Sequence, residues 1–238
     1  MIKAVLFDFR DTLIDVAESR KADDLLLYEF AKRKGAKVTL EQFHEKVAES
    51  QKKIIEKFRK NPDIHNWSLL INRHLLDLLG VKVEGMEFQH FMEKYDDVFV
   101  EKVSLFPDSL ACLNFLKSQN IKMGVIIDGT SKRENAIIEK LNLKPFLNVI
   151  IISEEVGRNK FSSLPLEKAL EKLNLPHNEV IVVGDRIDKD ILPANKLGCV
   201  SVKLERQSGK YNSLSSTARE EKPMHVISKL TELANFVD

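Results

Sequence analysis

Val180-Ile181-Val182-Val183-Gly184-Asp185-Arg186-Ile187-Asp188-Lys189-Asp190 opens with four consecutive aliphatic residues and breaks at a glycine followed by charge. An apolar run without polar alternation is how a strand covered on both faces of a parallel sheet reads. Ala4–Phe7, residues 124–127, Val149–Ile152 and residues 200–202 have the same character. Helical patterns lie between them. Pro107–Ser118 carries Leu110, Leu113, Phe115 and Leu116, and residues 131–141 carry Ala136, Ile137 and Leu141; residues 165–173 and 190–197 complete the set. Strands alternating with helices predict right-handed βαβ units, an α/β fold with a doubly wound parallel sheet.

Between the first two strands about 90 residues, 15–104, show no strand signal, far more than a crossover needs. They read as four helices. The first covers about 22–33. The second covers about 40–60, is opened by a capping box of Thr39 with Gln42, and carries Phe43, Val47, Ile54 and Phe58. The third runs from an Asn66 cap through Trp67, Leu70, Ile71, Leu75 and Leu78 to Gly80. The fourth, about 84–101, presents Phe88, Phe91, Met92, Tyr95 and Phe99. These rings read as the core of a helical subdomain. The expected organisation is a core of residues 1–14 and 105–238 with an all-helical insert, 15–104, after the first strand. The polar stretch 205–223 reads as a surface loop before a short edge strand, His225–Ile227, and a last helix.

Composition narrows the function. With 238 residues and a 43% hydrophobic fraction the chain can bury a real core. The 37 basic and 36 acidic side chains leave a formal charge of +1, with no electrostatic footprint for nucleic acid or an anionic membrane. No apolar run approaches the ~20 residues that span a bilayer. Met1-Ile2-Lys3-Ala4 leads straight into a strand without signal-peptide architecture, so a cytoplasmic protein is expected. Cys112 and Cys199 are too few for a disulfide framework or a zinc knuckle.

Ligands of doubly wound sheets bind beyond the carboxyl ends of the strands, at the topological switch point. Strand one ends Phe7-Asp8-Phe9-Arg10-Asp11-Thr12, strand two Ile127-Asp128-Gly129-Thr130, and strand four Gly184-Asp185 with Asp188 and Asp190; Lys160 follows strand three. Carboxylates from several strand ends converge opposite one lysine. Carboxylates gathered in one cleft repel unless a cation joins them, and carboxylates with waters and a phosphate oxygen are what Mg²⁺ prefers.

This order of motifs resembles the haloacid dehalogenase-like hydrolase superfamily, over nearly the whole chain. That family opens with a strand and Asp-x-Asp-Gly-Thr, carries a helical cap after it, and continues with a strand ending in Ser or Thr, a Lys usually followed by Pro, and Gly-Asp with a second Asp. Asp8 and Thr12 match the first motif, Lys160 the third, and Gly184-Asp185 with Asp188 or Asp190 the fourth. The resemblance implies a Rossmann-like core and a cap that closes over the site and chooses the substrate. It implies that Asp8 attacks a phosphoryl group of a small phosphomonoester and that Lys160 neutralises charge. Asp8, the carbonyl of Arg10 and Asp185 would hold Mg²⁺, with Asp188 and Asp190 behind them. Thr12, Asp128, Gly129 and Thr130 would line the phosphate.

Three positions depart from the pattern. The family's acid/base Asp is Arg10, which stays protonated at any working pH, and its Gly is Asp11. An arginine there can turn away and leave its carbonyl as a ligand, or pair with Asp8 or Asp185 and compete with the metal; weakened Mg²⁺ binding is expected. Ile127 replaces the phosphate-binding Ser or Thr, and Phe161 replaces the Pro after Lys160. Three readings follow: a Mg²⁺-dependent phosphatase with a displaced acid/base such as Asp11; a non-catalytic ligand-binding or interaction module; and a metal-independent hydrolase of the dehalogenase kind.

Overall fold

The computed structural model describes residues 1–206 and 221–237. Most of the polar stretch 205–223 therefore lies outside the described residues. The chain divides into two compact units, Met1–Asp15 with Ser104–Asp238, and Val16–Val103.

The first unit is built on a six-stranded sheet. Its strands are β1 (Ala4–Phe7), β4 (Lys122–Ile127), β5 (Val149–Ile152), β6 (Val180–Gly184), β7 (Val200–Leu204) and β8 (His225–Ile227), in the order β5-β4-β1-β6-β7-β8. Every pairing is parallel. The chain leaves central β1 towards β4 and β5, then returns to its other side for β6 to β8. The switch point thus falls at β1, where helices on opposite faces diverge and leave a crevice. Phe7 is in register with Val125 and with Val183, so Asp8, Asp128 and Asp185 emerge along one edge.

β1 and β6 are buried at every position, which is why neither shows alternation. On one face Leu6, Ile126, Ile151 and Val182 pack with Leu166, Ala169, Leu170 and Leu173. Those last four project from α8 (Leu164–Leu173). The remaining helices of the unit are α5 (Pro107–Ser118), α6 (Ser131–Lys140), α7 (Ser153–Val156) and α9 (Leu192–Lys196).

Three local differences from the sequence reading have identifiable causes. Two-residue strands β2 (Ile14–Asp15) and β3 (Ser104–Leu105) pair antiparallel at the ends of the insert; two residues are too few to show a period. The helix expected over 190–197 is a turn of π-helix, Ile187–Ile191, followed by α9. The last helix is a 3₁₀ segment, Leu230–Phe236.

The second unit holds α1 (Ala17–Arg33), α2 (Leu40–Lys60), α3 (Trp67–Leu78) and α4 (Gly85–Lys102). α1 begins a turn before its apolar periodicity, because its first buried positions are Ser19 and Asp23. The Thr39–Gln42 capping box opens α2. Leu27, Phe30, Phe43, Leu75, Leu76, Phe88, Phe91 and Met92 form one core, with the Phe30 and Phe91 rings stacked 4.0 Å apart. No helix among the described residues is long and apolar enough to cross a membrane.

Candidate active site

Asp8 follows β1, its amide donating to the Val183 carbonyl. Lys160 Nζ reaches its Oδ1 at 2.5 Å and the Thr12 hydroxyl donates to its Oδ2 at 3.1 Å. The same ammonium pairs with Asp190 Oδ1 at 2.6 Å. One oxygen each of Asp8, Asp185 and Asp190 lies within 4.8 Å of the others. Asp190 arrives there by a backbone device. The π-turn after β6 carries one residue more per hydrogen-bonded turn, so Asp190 rather than Asp188 is carried back under the strand end. Its Oδ2 accepts from the Arg186 amide at 3.0 Å. A side chain on Gly184 would collide with the Asp190 carboxylate, so the approach needs a glycine.

The electrostatics follow from burial. Desolvation, then repulsion from Asp8, Asp190 and Asp11, pushes the Asp185 carboxyl up to about 8. Burial raises Asp190 to about 6, against the opposing pull of Lys160. Burial opposes the charge on Lys160 too, but Asp190, Asp8 and Asp128 outweigh it and hold the amine above its usual range. Asp185 Oδ2 has no hydrogen-bond partner among the described residues. Three acidic groups facing one ammonium, one with an orphaned oxygen, suit a small hard cation with oxygen ligands.

The other side of the cleft is closed within itself. Asp128 accepts from the Lys160 amide at 2.7 Å and from Lys189 Nζ at 2.6 Å. Burial disfavours its charge, yet Lys189 and Lys160 together hold it below the usual carboxylate range. Lys189 also lies over the Phe161 ring, 4.5 Å from its centroid, so the residue in the expected proline position covers a buried cation. Arg10 turns towards α6. Its Nη1 donates to the Asp128 carbonyl at 2.9 Å and its Nη2 pairs with Glu134 Oε1.

Several expectations change here. Asp128, expected on the phosphate, accepts from a lysine nitrogen on each oxygen and anchors the Lys160 loop. Gly129 donates its amide to Ser153 Oγ at 3.0 Å. Thr130 stands at the N-cap of α6 without a capping side-chain bond. Of the two orientations open to Arg10, the ion pair with Glu134, a fully buried carboxylate, holds the guanidinium at α6. Asp188 forms a bidentate pair with Arg186, at 2.9 and 2.8 Å, outside the carboxylate cluster. Asp11 has φ 61°, the left-handed conformation that glycine takes most readily. Glu134 and Lys189 escaped sequence reading because a first-turn Glu and a loop Lys ordinarily face solvent.

The family model for haloacid dehalogenase-like hydrolases matches residues 5–204. The glyceraldehyde 3-phosphate phosphatase of Methanocaldococcus jannaschii is 29% identical over 240 residues, covering 100% of this chain and 97% of its own. The ribulose-1,5-bisphosphate 5-phosphatase of Halopiger xanaduensis is 26% identical over 239 residues, covering 100% of both chains. In fold the chain resembles the HAD phosphatase of Thermococcus onnurineus, with a TM-score of 0.70, 18% identity and 99% and 98% of the two chains covered. A parallel sheet with its switch point at β1, strand-end aspartates and a match across most of the length agree: the chain belongs to the haloacid dehalogenase-like hydrolase family and is a hydrolase.

Proposed function

We propose that this protein is a cytoplasmic, Mg²⁺-dependent phosphatase of small phosphomonoesters, acting through an aspartyl-phosphate on Asp8. The observation that carries the reading is the cluster of half-buried Asp8 with buried Asp185 and Asp190 beside Lys160. Relatives named for glyceraldehyde 3-phosphate and ribulose-1,5-bisphosphate point to short phosphorylated sugars as the substrate class.

Asp8 Oδ attacks phosphorus and the bond to the leaving oxygen breaks, with Thr12 and Lys160 fixing the carboxylate on either oxygen. Asp8, Asp185 and the Arg10 carbonyl would hold Mg²⁺, which neutralises phosphoryl oxygens when bound. Lys160 stabilises the charge spread over the transferring group, and Asp190 keeps that ammonium in place. Asp11, next to the position where the family carries its acid/base, protonates the leaving oxygen and then takes a proton from the water that opens the aspartyl-phosphate. A displaced acid/base forfeits part of the ~10²–10⁴-fold that a well-placed one supplies, so turnover is slow.

The test is phosphate release over a panel of sugar phosphates and other monoesters, in Mg²⁺ and in EDTA, with Asp8→Asn as blank. We expect Mg²⁺-dependent release and, after acid quench, a phosphoryl group on the peptide containing Asp8. Silence across the panel at high protein concentration would overturn the reading.

A further inference from the structure

Arg10 and Glu134 form an arrangement that the reaction above does not use. Arg10 lies two residues after Asp8, which belongs to a cluster of three acidic side chains, one of them with an orphaned oxygen. A guanidinium in that place is drawn to those carboxylates, and an Arg–carboxylate pair is a strong competitor for a metal position. Instead it is turned to Glu134, whose side chain is fully buried on the first turn of α6. The seat is built for this. Glu134 Oε1 takes Arg10 and also Arg133 Nε at 3.2 Å, while Oε2 has no hydrogen-bond partner among the described residues. Gly129 carries no Cβ, and one placed there would run into the Glu134 carboxylate. The Asp128 carbonyl, on the same turn, takes the other arm of the guanidinium at 2.9 Å.

We infer that Glu134 is a positioning residue that latches the Arg10 side chain at α6 and so keeps the carboxylates of Asp8 and Asp185 open to a divalent cation. The inference rests on the Mg²⁺ reading of that site. A buried carboxylate on the far side of the guanidinium is what outbids the Asp8–Asp185 group for it. Removing that charge while keeping its volume hands Arg10 to the cleft.

The experiment is calorimetric titration of the full chain with Mg²⁺ alone. Glu134→Gln should weaken Mg²⁺ binding tenfold or more, and Arg10→Ala added to it should recover affinity to within threefold of native. Recovery by removing Arg10 rules out a general loosening of α6 and any effect through Arg133. Unchanged affinity in Glu134→Gln, or a loss that Arg10→Ala does not repair, overturns the latch. Should Glu134→Gln not fold, Arg10→Ala alone decides. A change within threefold means the native guanidinium is already withheld, and a gain of tenfold or more means it competes and no latch exists. If the native protein takes up no Mg²⁺, the metal reading fails and the latch with it; if it binds while Glu134→Gln binds equally, only the latch fails.

Discussion

The two sides of the cleft, a few residues apart along one sheet edge, solve the same problem differently. At the β6 end Asp8 and Asp190 share one lysine and Asp185 adds a third carboxyl, so acidic groups outnumber the ammonium. At the β4 end each charge has been given a buried partner: Asp128 has Lys189, and Arg10 has Glu134. The first side has carboxyl groups to spare for the proposed Mg²⁺, and on the second each of these charges has its partner. A site of this kind is half reagent and half scaffold, and which half a carboxylate belongs to is decided by its neighbours rather than by its place after a strand. Replacements should separate the halves, and the following run from the largest expected change in stability to the smallest.

Lys160 joins the two sides, because its ammonium holds Asp8 and Asp190 while its amide bonds Asp128. Lys160→Met removes the ammonium that pairs with Asp8 and Asp190 and should cost about 3–5 kcal/mol in urea unfolding in EDTA. Saturating Mg²⁺ should return part of the loss, since a cation then replaces the ammonium. A variant as stable as native would mean the charges are not coupled as the distances imply.

Two glycines mark the seats of the two halves, Gly184 under Asp190 and Gly129 under Glu134. An added methyl group overpacks each, so Gly184→Ala and Gly129→Ala should each lose about 1–3 kcal/mol in urea unfolding. Phosphate release should fall more in Gly184→Ala, which dislodges the partner of Lys160. Equal activity in both would erase the distinction between reagent and scaffold.

This contrast was only half legible in the sequence. Ala4–Phe7 and Val149–Ile152 declare themselves by unbroken apolar runs, and Asp8, Lys160 and Asp185 by their places after strands. Asp188 and Asp190 could not be told apart, because the π-turn that selects Asp190 leaves no residue signature. Glu134 reads as an ordinary first-turn acid. A signal was nevertheless present at Arg10: an arginine beside the strand end of β1 requires an internal anion, and α6 begins close to that strand end. Lys189 gave no signal, since a buried lysine is written like an exposed one.

The pH response sharpens the comparison further. Burial, with repulsion from neighbouring carboxylates, pushes Asp185 from its ordinary value near 3.8 up to about 8, and burial pushes Asp190 up to about 6. A carboxyl with a raised folded pKa stabilises the protein fully below its unfolded value, and that stability is lost as pH rises through the folded value. Lys160, held above its usual range, titrates beyond this window, and Asp128, held low, loses its contribution only under acid. The melting temperature in EDTA should therefore fall by at least about 3 °C between pH 5.5 and 8.5. Mg²⁺ favours the ionised carboxylates and should flatten or reverse the slope. A flat profile in EDTA would show that the β6 side is as well neutralised as the β4 side.

The smallest change in stability is expected at Asp11, and it separates backbone from chemistry. At φ 61° a side chain is strained, less for Asp than for most residues, and glycine removes the strain. Glycine also gains freedom in the unfolded chain, worth about 0.4–1 kcal/mol in the opposite direction. The two effects offset, so Asp11→Gly should unfold within about 0.5 kcal/mol of native. Asp11→Asn keeps a residue type that tolerates this conformation and should match it. Both variants remove the titratable group, so both should lose tenfold or more of phosphate release while remaining folded. The loss should be smaller on an aryl phosphate, whose leaving oxygen needs no proton, than on an alkyl phosphate. If both variants keep native turnover on alkyl esters, Asp11 serves the turn alone and the proton comes from another group.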